Sequence, residues 1–169
     1  MKPVASAILI SPEAVALATL DAAAQAAGLS GIDPNQFGLT LVTWDAVEAP
    51  GTVANLSLGR PQGALHRVAA RLSRHMITRN LLRFTPLDPN TTFWRAFRGN
   101  TEAMQCANSA DVAIAVERDA IMTVWKVARR RGDRPGRAIL GLPAGLAHLR
   151  LIHDARLDQK PSALDNASS

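Results

Sequence analysis

Two spacings of hydrophobic and polar positions alternate along this chain, and their alternation predicts its fold class. The clearest case runs from Ser109 to Pro143 and reads as one β-α-β unit. Asp111 to Val116 is almost wholly apolar, as expected of a strand buried on both faces of a parallel sheet. Glu117-Arg118-Asp119 breaks that run, with Asp119 as helix N-cap and Ala120 as first helical residue. Ile121, Val124, Val127 and Ala128 then recur at helical spacing. Arg129, Arg130 and Arg131 fill the last turn, where cations suit the helix dipole. Gly132 ends the helix, and Ala138 to Leu142 is the next buried strand, closed by Pro143.

The same alternation extends in both directions. Val4 to Ile10 is an opening strand. Ser11-Pro12-Glu13 starts a helix with a hydroxyl cap, a proline at the first position and an acid in the first turn. That helix is alanine-rich and stops at Gly28. Leu39 to Trp44 alternates with β-branched residues, so it is a strand, and Val53 to Leu58 has the length of another. Ala64 to Met76 reads as a helix, with Leu65, Val68, Ala69, Leu72 and Met76 as its apolar stripe. Leu81 to Thr85 is a strand ended by Pro86, Phe93 to Phe97 fits neither period, and Thr101 to Ala107 is a short helix. A last helix follows Pro143. Strands alternating with helices predict an α/β sandwich with a mainly parallel sheet, because parallel neighbours need crossovers. Residues 1–156 form one domain, and the polar tail 157–169 is expected to be disordered.

Composition narrows the partners. The excess of 19 Lys and Arg over 14 Asp and Glu gives a net charge of +5, which favours polyanionic partners or phosphorylated ligands. A single cysteine rules out an internal disulfide. The longest apolar run is far shorter than a membrane span, and the N-terminus has no signal-peptide anatomy, so a cytoplasmic protein is expected. His148 and His153 lack metal-ligand spacing, so neither metal nor cofactor is expected. Basic residues fall in two clusters: Arg60 to Arg83, without a single acid, and Lys126 to Arg137.

Candidate chemistry follows from the strands, since ligands of open α/β sheets gather at strand carboxyl ends. Ser11, Trp44, Asp45, Thr85 and Glu117 to Asp119 occupy those positions. Ser11 and Asp119 are also predicted caps, and a helix N-terminus presents free N–H groups to an anion. Gly59 and Gly63 bracket a turn before the basic helix that could curl around a phosphate, although it matches neither a P-loop nor a dinucleotide fingerprint. Asp45 and Glu48 are an acid/base pair only by proximity in sequence.

The order of features from about Gly59 to Pro143 resembles the SLOG/LOG-like Rossmann superfamily, whose members bind nucleotides and nucleotide-derived signals or act as phosphoribohydrolases. GRPQGALHRVAARLSR is similar to its glycine turn and following helix. LLRFTPLDP is similar to its strand and proline loop. Arg98, Asn100 and Met104 ahead of ADVAIAV are similar to its Arg-Asn segment and next strand. The resemblance implies a Rossmann-like three-layer sandwich that binds a nucleotide-like small molecule. Glu117 to Thr123 stands where the family has a glycine-rich phosphate loop, and Lys126 and Val127 stand near the family's catalytic glutamate. A binder without catalysis is therefore expected, using Ser11, Gly63, Arg98, Asn100, Glu117, Asp119 and Thr123. Arg98 would meet an anion, and a carboxylate would hold a ribose hydroxyl or base amine.

Two alternatives remain from the sequence. One is nucleic-acid binding through Arg67, Arg71 and Arg74, joined by Arg129 and Arg130, with Phe84, Phe93, Trp94 and Phe97 near the first cluster and Trp125 in the second. The other is a nucleotide N-glycoside hydrolase. The alanine-rich helix Glu13 to Ala27 and the last helix each offer a surface for a homo-oligomer.

Overall fold

Five short runs pair into one sheet in the computed structural model, which describes residues 3–13, 17–29, 36–47, 53–61, 85, 88–130 and 137–159. They are β1 Ala5–Ile10, β2 Phe37–Thr43, β3 Val53–Ser57, β4 Val112–Ala115 and β5 Arg137–Leu140, in the spatial order β3-β2-β1-β4-β5. All four neighbouring pairs are parallel. Helices α1 Leu17–Ala26, α2 Pro89–Gly99, α3 Thr101–Ser109, α4 Ile121–Arg130 and α5 Leu142–Asp158 cover the two faces. The chain is thus an α/β, Rossmann-like three-layer sandwich, as the alternation of periods predicts.

Period two in the strands divides the core. Ala5, Ala7 and Leu9 of β1 and Val112 and Ile114 of β4 point to one side, against Leu20 and Ala23 of α1 and Leu142, Leu146 and Leu149 of α5. Ile8, Ile10, Ala113 and Ala115 point to the other, against Phe93 and Phe97 of α2, Ala103 and Ala107 of α3, and Val124 and Val127 of α4. Small residues set the spacing of these layers. A Cβ on Gly145 would lie 2.5 Å from the Ile114 Cδ1, so glycine lets α5 settle directly on β4.

The segment Phe93 to Phe97, which fits neither period in the sequence, is helical and mostly core. Phe93 and Phe97 are fully buried and Trp94 nearly so. Asp88 caps α2 by accepting from the Thr91 N–H at 2.9 Å, and proline occupies the first turn. The run DPNTT, Asp88 to Thr92, which looks like a turn in the sequence, is therefore a helix start.

Two boundaries differ from expectation. Among the described strands β5 is at the sheet edge, pairing with β4 alone, and Leu140 is 59% exposed. Gly141, at φ +92°, turns the chain straight into α5, so Leu142 and Pro143 open that helix instead of closing the strand. α5 also runs on to Asp158, beyond the expected domain end, while residues 160–169 lie outside the described residues. The helix expected over Ala64 to Met76 and most of the strand expected over Leu81 to Thr85 lie outside them too. No described helix is long and apolar enough to cross a membrane.

Candidate functional site at the sheet reversal

The chain builds outward from β1 through β2 to β3, then returns to place β4 on the other side of β1. A parallel sheet that reverses in this way opens a crevice beyond the carboxyl ends of the two strands at the reversal, here β1 and β4. Ile10 is in register with Ala115, and the Val116 N–H donates to the Ile10 carbonyl at 3.1 Å. The pairing thus delivers Ser11 and Glu117, separated by 106 positions, to one point.

There the two side chains bond directly. The Ser11 hydroxyl lies within hydrogen-bonding distance of Glu117 Oε1 and of the Glu13 carbonyl at 2.7 Å, and donates to one at a time. Glu117 Oε1 also accepts from the Glu13 N–H at 2.9 Å. Ser11 is almost completely buried. Residues 14–16, on which the helix start expected at Ser11 falls, lie outside the described residues, and α1 is described from Leu17. The Ser11 hydroxyl ties β1 to β4. An N–H that could meet a ligand's anion meets the protein's own carboxylate.

Beside this tie lies a cavity of ≈ 460 Å³ lined by Asp88, Asn90, Arg118, Asp119, Ile121, Met122 and Trp125. Arg118 to Ala120 form a 3-10 turn that runs directly into α4. Asp119 sits inside that turn rather than ahead of the helix as its N-cap, because Glu117 already breaks the strand and the turn begins one residue sooner. α2 brings Asp88 and Asn90 to the opposite wall. Asp88 is buried, and the Thr91 N–H and hydroxyl both donate to its Oδ2, at 2.9 and 3.1 Å. Asn90 Oδ1 is buried without a hydrogen-bond partner among the described residues. A buried acceptor left unpaired is uncommon enough to require an explanation.

The expected site residues separate into three groups. Ser11, Glu117 and Asp119 gather at the reversal. Arg98 and Asn100 lie at the far end of α2: Arg98 is exposed and lines no part of the cavity, and Asn100 Oδ1 caps α3 by accepting from the Ala103 N–H at 2.9 Å. Thr123 is fully buried on the inner side of α4, its hydroxyl without a partner among the described residues. Gly63, Arg67, Arg71 and Arg74 lie outside the described residues, as do Glu48 and Phe84. Asp45 pairs with Arg60 at 2.7 Å, Trp44 packs edge-on against Phe93, and Thr85 is exposed.

Sequence reasoning missed Asp88, Asn90, Arg118 and Trp125 as residues lining one cavity. The run around Asp88 reads as a turn in the sequence, and nothing local connects it to α4. Elsewhere, His153 is buried against Phe37 and bonded to Asp154 at 3.0 Å and Gln36 at 2.7 Å, which makes it a fastener of α5. Burial, helped by the charge of Arg137, lowers the His148 pKa. No group of three or more His, Cys, Asp or Glu residues suited to a metal ion occurs among the described residues. Compared with known proteins, the chain matches no family model, no curated protein and no solved structure.

Proposed function

We propose that this chain is a binding domain for a nucleotide-like small molecule, held at the carboxyl end of β4 without catalysis. The cavity lined by Asn90, Arg118, Asp119, Met122 and Trp125 carries this reading. Its volume falls within the range of small-molecule sites, and its apolar walls meet a few polar groups, as such sites do. Ile121, Met122 and Trp125 suit a flat base. Asp119 and the unpartnered Asn90 Oδ1 suit hydroxyl or amine donors, and the exposed Arg118 suits a phosphate. The absence of catalysis is supported by the use of Ser11: its buried hydroxyl is engaged by Glu117 and backbone, the opposite of an exposed nucleophile beside a base.

Thermal shift with nucleosides and mono- and dinucleotides, at low and high salt, tests this. A ligand at about a hundred times its Kd adds about 2.7 kcal/mol, or about 5–10 °C for a chain of this size. The shift should survive high salt, shrink in Arg118→Ala with phosphorylated ligands, and shrink in Asn90→Ala with all of them. A full shift in both variants, or none with any such ligand, would sink the proposal.

A further inference from the structure

A second surface begins at the rim of the cavity and continues along the outside of α4. Ile121, Trp125 and Arg129 are four residues apart, so they form one ridge about 12 Å long on a helix rising 1.5 Å per residue. Trp125 is 51% exposed, an unusual place for the largest side chain of a protein with only seven aromatic rings in total, four Phe and three Trp. The Arg129 guanidinium lies over its ring, 4.6 Å from the centroid. On the adjoining ridge, Lys126 and Arg130 sit 5.3 and 5.2 Å from the centroid of Trp94. Trp94 is buried, so these two contacts position cations at the surface rather than expose a ring.

The charges on this face are not spent internally. Among the described residues, no carboxylate pairs with Lys126, Arg129 or Arg130, whereas Arg60, Arg150 and Arg156 all have acidic partners. Three cations held in place by aromatic rings beside an exposed indole combine two needs: phosphate neutralisation and a stacking platform. Only unpaired bases expose the faces that an indole can stack on.

We infer that the outer face of α4 binds single-stranded nucleic acid, with a base stacked on Trp125 and the backbone phosphates against Lys126, Arg129 and Arg130. The two readings share Trp125 at the cavity rim, and Lys126, Arg129 and Arg130, which take no part in lining the cavity, separate them. Duplexes keep their bases stacked inward and lose the Trp125 contribution. An acidic protein surface would use the cations but not the ring.

Titration of the full-length chain with a short oligothymidylate tests the inference, read by tryptophan fluorescence and by anisotropy of a labelled strand. Trp44 and Trp94 are buried, so quenching reports chiefly on Trp125. Three phosphate contacts predict a salt slope of about −2, a loss of about 20-fold between about 50 and 200 mM salt. Trp125→Leu should weaken binding about tenfold. Arg129→Gln should flatten the salt slope by about 0.7 while leaving any nucleotide-induced thermal shift unchanged. Both positions are exposed on a helix, and circular dichroism checks that the variants fold. The inference is overturned if oligothymidylate fails to bind at low salt, if Trp125→Leu binds as tightly as the parent, or if a duplex or polyglutamate competes equally well.

Discussion

The two ends of the β1–β4 pair are built from the same parts and put them to different uses. At the amino end, Ser6 of β1 faces Asp111, the residue before β4. The Ser6 N–H and hydroxyl both reach Asp111 Oδ2, at 2.9 and 3.2 Å. At the carboxyl end, the Ser11 hydroxyl meets Glu117 while the Ser11 N–H donates to the Val42 carbonyl. A second difference is a cation. Arg156 reaches from α5 to grip both Asp111 oxygens, at 2.9 and 2.5 Å, and the Val4 carbonyl at 2.6 Å. Among the described residues no cation pairs with Glu117. One end of the sheet is neutralised and tied to a helix, while the other keeps a carboxylate beside an open cavity. The first end is tied to α5 by an ion pair, and the second lies beside the cavity of the proposed binding site.

Removing Asp111 should have the largest effect. Asp111→Ala takes away the Arg156 pair and both Ser6 bonds at once, a loss of about 3 kcal/mol or about 6–12 °C in Tm. Acid should act on the same group. Burial pushes the Asp111 carboxyl up, but the Arg156 guanidinium and the Ser6 donors outweigh burial and hold it below its ordinary 3.8. A carboxyl held low in the folded state stabilises fully above its unfolded value. That contribution is lost as pH falls from about 4 through the folded pKa. Urea titrations across this window should show a steeper acid loss in the parent than in Asp111→Asn. Equal slopes would remove the amino-end tie from the account.

Glu117→Ala should cost less, about 1 kcal/mol, because Ser11 keeps the Glu13 carbonyl and no ion pair is broken. Glu117→Gln retains an acceptor and should cost less still. Thermal denaturation that shows Glu117→Ala as damaging as Asp111→Ala would erase the contrast between the two ends. The smallest effect belongs to the Arg60–Asp45 pair, whose side chains are both more than half exposed. Asp45→Asn should move stability by less than about 0.5 kcal/mol, since solvent screens such pairs.

Much of the fold was legible because strands and helices write their period into neighbouring residues. The β4-α4 unit reads directly from Val112 to Arg130, and the paired strands β1 and β2 read from their apolar runs. The failures have physical causes. Phe93, Trp94 and Phe97 occupy one face of a three-turn helix too short for its period to stand out among Asn, Thr and Arg. As core residues, they are not the stacking platform the first arginine cluster suggested. Arg98 and Asn100 were chosen from a resemblance in residue order, yet α2 carries them away from the sheet reversal. The place of Glu117 and Asp119 just after β4 was legible because position after a strand is a local property, and it puts residues at the carboxyl edge wherever the strand sits.

By itself, then, the sequence determined the class of fold and the sign of the net charge, and it pointed to the carboxyl edge of the sheet as the place of the proposed site. Each depends on composition or on residues within a few positions of one another. Only the tertiary structure decided that β4 inserts beside β1, that Ser11 meets Glu117, and that Asn90 and Trp125 line one cavity. Those contacts depend on strand order, which long-range packing of nearly interchangeable apolar runs selects and no local pattern encodes.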